Sequence, residues 1–182
     1  MSNPGALIKE LEQALSEGSA ERRVKMLNRI TDLFVIGSGQ FSEDHIALLD
    51  GVFGHLIADI ELTARAALAA RLAGIDNAPP TLMRTLAFDE AIDVAGPVLK
   101  QSERLDNVTL VENANTKSQQ HLLAISQRRI LAETVTDVLV ERGNRDVALS
   151  TARNAGAKFS ETGYVRLVRR SEGDDELAHS VG

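Results

Sequence analysis

Apolar residues recur along this chain at intervals of three and four, the spacing that lines one face of an α-helix, and no segment alternates with the period of a strand. Leu7, Ile8, Leu11 and Leu15, between Pro4 and Gly18, predict a short amphipathic first helix. Val24, Leu27, Ile30 and Phe34 predict a second, stopped by Gly37-Ser38-Gly39. Ser42 is an N-cap with Glu43 and Asp44 at the positive end of the helix dipole, and Ile46, Leu49, Phe53, Leu56 and Ile57 carry that helix on. Glu61 to Ala73 turns Leu62, Ala66, Ala69 and Leu72 inward; Pro79 to Ala87, opened by two prolines, turns Leu82, Met83 and Leu86 inward. Asp89 to Lys100 and Asp106 to Ala114 form the next pair, with Val94, Val98 and Leu99 facing Val108 and Leu110, and Pro97 kinking or shortening the first member. Ser118 to Arg129 pairs with Ala132 to Arg142, where Leu123 and Leu139 fall on the inferred buried stripes and Gly143 is the C-terminal cap. Asn144 caps Asp146-Val147-Ala148-Leu149, and Ser160 opens a stretch through Tyr164, Leu167 and Val168.

A recurrence orders these pairs. Phe41-Ser42-Glu43, Leu131-Ala132-Glu133 and Phe159-Ser160-Glu161 each set an apolar residue, a small residue and a glutamate before a helix, and Ala78-Pro79-Pro80 and Leu105-Asp106-Asn107 open two more. After a wider first step the starts are spaced roughly 26 to 28 residues apart, the period of a helical repeat array. The expectation is an all-α chain of about five antiparallel helix pairs rising as a right-handed superhelix, one domain over 1–182. Within it 1–18 is a cap helix, 19–170 the repeats and 171–182 an incomplete last repeat or tail. Helices this short are marginal alone, so burial against neighbouring repeats must hold them.

Composition narrows the chemistry. Cysteine is absent, which removes thiolate nucleophiles, zinc–thiolate sites and disulfides together. Charge arrives at Lys9-Glu10 before a signal-peptide apolar region develops, and no stretch approaches the ~20 apolar residues of a spanning helix, so a cytoplasmic chain with no membrane association is expected. The net charge of −6 is unevenly spread: residues 117–170 carry 10 Lys/Arg against 5 Asp/Glu, while the rest is acidic.

Candidate reactive groups resolve into ordinary ones. His55 and Asp59 share a helix face but read as a solvated edge, Gly37-Ser38-Gly39-Gln40 lacks the lysine of a phosphate loop, and Ser126, Ser150 and Ser160 lack the setting of an activated nucleophile. Asp137 and Glu141, at i, i+4, read as solvated carboxylates. No catalytic, cofactor or metal residue is expected. The arginines of the basic half are the one constellation to follow: Arg166, Arg169 and Arg170 share a helix face, and Arg142 joins them as a candidate partner-binding residue from the preceding repeat. Together with Arg128, Arg129, Arg145 and Arg153 they are either solvated partners of Glu133, Asp137, Glu141 and Asp146 or the lining of a groove for an acidic segment or nucleic acid. An acidic chain with one tyrosine and no tryptophan makes nucleic acid the weaker reading.

Across roughly residues 22 to 182 the chain resembles an uncharacterised bacterial family of HEAT-like α-helical repeat domains. The resemblance is carried by Glu61-Leu62-Thr63-Ala64-Arg65-Ala66-Ala67-Leu68-Ala69, Val94-Ala95-Gly96-Pro97-Val98-Leu99, Leu122-Leu123-Ala124-Ile125-Ser126 and Arg153-Asn154-Ala155-Gly156-Ala157-Lys158-Phe159-Ser160. It implies HEAT-like pairs in an α-superhelix and brings no activity or catalytic residue with it. The resemblance also implies further helix beyond Asp174-Asp175-Glu176-Leu177-Ala178-His179, so the chain reads as a shortened member or a fragment. The expected function is a non-enzymatic scaffold for a protein or peptide, with a weak homodimer formed through the C-terminal face around Tyr164, Leu167, Val168 and Leu177; the alternatives are binding of nucleic acid or an acidic ligand through the basic C-terminal repeats, and an enzyme using an unrecognised carboxylate–histidine set.

Overall fold

The computed structural model describes residues 19–58 and 60–181; the expected cap helix with Leu7, Ile8, Leu11 and Leu15 lies outside the described residues, as does Asp59. Eleven α-helices are described: α1 (Ala20–Gly37), α2 (Glu43–Ile57), α3 (Leu62–Leu72), α4 (Pro80–Ala87), α5 (Ile92–Gln101), α6 (Asn107–Thr116), α7 (Gln119–Ser126), α8 (Glu133–Arg142), α9 (Arg145–Ala152), α10 (Glu161–Arg170) and α11 (Asp175–Val181). Extended structure among the described residues is limited to one bridge between Leu131 and Ala157.

The recurrence in the sequence has a structural meaning. Phe41, Ala78, Leu105, Leu131 and Phe159 each stand two residues before the start of an even-numbered helix. The residue between is the N-cap: the side chains of Ser42, Asp106 and Ser160 accept the backbone N–H of His45, Thr109 and Gly163. Contacts then run chiefly to the next helix but one. In one row α1 meets α3, and α3, α5, α7, α9 and α11 meet in succession; in the other α2 meets α4, α6 meets α8 and α8 meets α10. Side chains close the step between α4 and α6: Arg84 Nη1 donates to Thr109 Oγ1 at 2.7 Å and Asn113 Nδ2 to Ala87 O at 2.7 Å.

The two rows bury one continuous apolar core from Leu27 to Val147, and a smaller cluster of Val140, Ala148, Leu167 and Leu177 near the C-terminus. Leu167 and Leu177 therefore do not form the open C-terminal face expected of them; α11 covers α9, and only Tyr164 and Val168 of that set stay exposed.

Polar residues inside the stripes explain the other differences. The buried face of α6 is Thr109, Leu110, Asn113 and Ala114, so Val108 points outward, 73% exposed. That of α7 is His121, Leu122, Ile125 and Ser126, which leaves Leu123 half-buried. Leu62, in the first turn of α3, is exposed as well. Pro97 is accommodated within α5. The α7 helix ends at Ser126 rather than Arg129, and Gly143 caps α8 in an extended conformation (φ −63°, ψ 145°).

Candidate partner-binding site

Most arginines of the basic half are committed inside the fold. Arg142 is the last residue of α8 and donates to Ala114 O, near the C-terminus of α6. Arg170 is the last residue of α10 and donates to Val140 O, at the equivalent position of α8. In the other row Arg128, just past α7, donates to Leu99 O at 2.7 Å and Ser102 O at 2.8 Å at the end of α5. Asn154, just past α9, donates to Ser126 O at 2.8 Å and Arg128 O at 2.7 Å. Each donor meets carbonyls that the preceding helix leaves unpaired, at the negative end of its dipole. Burial pulls the pKa of Arg128 below the ordinary arginine value, against the charge of Glu103.

The remaining pairings mostly bypass Glu133, Asp137 and Asp146. Arg145 binds Asp174 at 2.6 Å and Glu176 at 2.8 Å, and Arg153 binds Glu176 at 2.9 Å, fastening α11 to α9. Arg166 binds Glu141 at 2.8 Å, the one expected partner that is used, while Asp137 accepts from Ser160 Oγ at 2.7 Å. Arg166, Arg169 and Arg170 line a shallow hollow of about 330 Å³ with Val140 and Glu141, and the Arg142 guanidinium is turned away to Ala114. The Arg169 side chain alone of the four makes no hydrogen bond or ion pair among the described residues.

A second concavity, of about 410 Å³, lies where α3, α5 and α7 end and was not singled out in the sequence. Gly74, Lys100, Gln101, Glu103, Gln127, Arg128, Arg129 and Ile130 line it. The close approach of Gly156 to the Arg129 backbone pins the loop that presents Arg129 and Ile130. Leu131 N–H donates to Gly156 O and Lys158 N–H to Leu131 O, both at 3.0 Å. Ile130 is left 58% exposed between basic side chains, and the Arg129–Glu103 contact is loose at 3.9 Å. An exposed isoleucine after two arginines is a weak signal, because only the fold brings it beside Lys100 and Gly74.

The groups weighed for chemistry have other partners. Ser126 Oγ donates to Leu123 O and lies 2.7 Å from Ser150 Oγ, and His121 Nε2 lies 2.9 Å from Asp89 O with Nδ1 2.8 Å from Ser118 Oγ. Burial pushes the Asp89 pKa up, but hydrogen bonds from Arg65 and the Ala91 N–H, with the charges of Arg65 and Lys117, outweigh it and hold it below the ordinary value. Among the described residues no three His, Asp or Glu gather as metal ligands, and no helix is long and apolar enough to cross a membrane.

Residues 94–182 match the family model described as an uncharacterised protein conserved in bacteria, DUF2336. This stretch belongs to that family. No curated protein and no solved structure matches the chain. The DUF2336 segment runs from within α5 through α11, so it contains the donors Arg128, Arg142, Asn154 and Arg170 and every residue lining the second concavity except Gly74.

Proposed function

We propose that the chain is a non-enzymatic, cytoplasmic scaffold, a right-handed superhelix of HEAT-like pairs that binds a protein segment at the α3–α5–α7 end concavity. The observation that carries this reading is the juxtaposition of exposed Ile130 with Lys100 and Arg129 against the single acid Glu103, over a floor in which the buried Arg128 holds the Leu99 and Ser102 carbonyls. Its fitting occupant is a short segment with an apolar anchor and acidic neighbours: the anchor covers Ile130 while the acids meet cations whose only nearby counter-charge is weakly engaged. Two rows of short helices joined at every step by buried side chains supply a stiff frame for such a surface. Of Arg142, Arg166, Arg169 and Arg170, the side chain best placed to meet a partner is Arg169, since the others already hold carbonyls or Glu141.

The test is affinity capture with the intact chain, its Ile130→Asp variant and its Arg129→Glu variant. A protein retained by the wild type and lost from both variants supports the reading. Equal capture by all three, or recovery of nuclease-sensitive material whose binding falls steeply with salt, contradicts it.

A further inference from the structure

The even-numbered row presents a helix face whose counterparts are covered elsewhere. In α8, Thr136 and Val140 are 0% and 1% exposed because α10 packs over them. One repeat later the same positions are Tyr164 and Val168, and these are 46% and 40% exposed. Val165 lies beside them, also exposed, so α10 shows an apolar strip to solvent.

The charges around this strip form a self-complementary pattern. Taking Val165 as a midpoint, Glu161 lies four residues before it and Arg169 four after; Lys158 lies seven before and Glu172 seven after. At 3.6 residues per turn Glu161, Val165, Val168 and Arg169 fall on one face of the helix, while Lys158 and Glu172 flank α10 beyond its ends. All four charged side chains are exposed, and none forms an ion pair among the described residues, in contrast to Arg166 with Glu141 and Arg145 with Asp174.

We propose that α10 docks against α10 of a second copy of this chain, antiparallel about a two-fold axis at Val165. That axis sets Glu161 of each copy opposite Arg169 of the other, two ion pairs flanking an apolar centre of Val165, Val168 and Tyr164, with Lys158 and Glu172 adding opposite charges beyond the two helix ends. A parallel arrangement would oppose like charges, so the pattern selects the isologous antiparallel one. The surface is small, and the dimer is correspondingly weak, with a dissociation constant of about 10–100 μM. This inference is independent of the concavity at Ile130, and its failure leaves that reading in place.

Sedimentation equilibrium of the full chain over rising concentration tests it, with circular dichroism confirming that each variant is folded. Glu161→Arg and Arg169→Glu each turn two attractions into two repulsions and should weaken the dimer by about tenfold or more. The double variant E161R/R169E restores opposite charges across the axis and should return to within about threefold of wild type. Val165→Asp, away from the helix ends, should abolish association by opposing two carboxylates on the axis. A wild type that stays monomeric at about 1 mM, a dimer indifferent to both single reversals, or a double variant as weak as the singles would each overturn the proposal.

Discussion

Asp50, in the buried stripe of α2, accepts the backbone N–H of Leu82 at 2.7 Å with one carboxylate oxygen and that of Thr81 at 2.8 Å with the other. The pairing answers a need set by Pro79 and Pro80. Neither proline has an N–H and Met83 N–H bonds Pro79 O, so Thr81 and Leu82 are the donors left over at the start of α4. Asp50→Ala strands both and removes an anion from the positive end of the helix. Urea denaturation should show a loss of about 1–3 kcal/mol, and a loss under about 0.5 kcal/mol would show that water takes the place of the carboxylate.

The apolar core makes a contrasting pair of predictions. Leu139 is fully buried in α8, and Leu139→Ala should cost about 2–5 kcal/mol. Leu123 is only half-buried, packed at the margin of the core, and Leu123→Ala should cost less than about 1.5 kcal/mol. Equal losses in chemical denaturation would mean that the rotation of α7 is wrong.

Gly156 is required by space. A Cβ there would lie 1.9 Å from Arg129 O, a backbone atom with no freedom to swing aside. Gly156→Ala should cost about 1–3 kcal/mol or more and displace the 129–131 loop. Unchanged stability together with unchanged amide shifts for Leu131 and Lys158 would contradict this.

How far the chain could be read from its sequence follows from the same residues. The apolar spacing and the recurring caps located the even-numbered helices to within about two residues, because an N-cap and its preceding apolar residue are local signals. Which residues of a stripe face inward was less legible. Asp50, Thr109, Asn113, His121, Ser126 and Thr136 are buried polar groups whose partners lie elsewhere in the chain, most of them in or beside neighbouring helices, and such partners leave no trace in local hydrophobicity. The arginines were visible as a basic cluster, but their use as donors to the ends of preceding helices depends on the stacking itself. The concavity at Ile130 gathers three helix ends and could not be assembled from spacing.

Acid should loosen α11 before the rest. Hydrogen bonds from Arg145, with the Leu177 N–H behind them, hold the Asp174 carboxyl below its ordinary range, and hydrogen bonds from Arg145 and Arg153 do the same for Glu176. Since the docked values are the lower ones, the stabilisation is complete above the free carboxylate range and is lost as pH falls through the lowered values, below about pH 4. The Leu177 methyl signals should therefore move toward random-coil positions in acid while Leu139 stays native, and Arg145→Ala should show loosened α11 already at neutral pH. Leu177 and Leu139 signals that change together would contradict a separately fastened α11.

The scaffold reading is tested most directly by replacing Ile130 with a photo-crosslinking amino acid in cells, using the still more exposed Val108 on α6 as the control position. The expected result is one light-dependent protein adduct at 130, absent at 108, whose yield falls sharply when Arg129→Glu is added. No adduct at 130, the same adducts at both positions, or an adduct to nucleic acid would contradict a protein-binding site at the concavity.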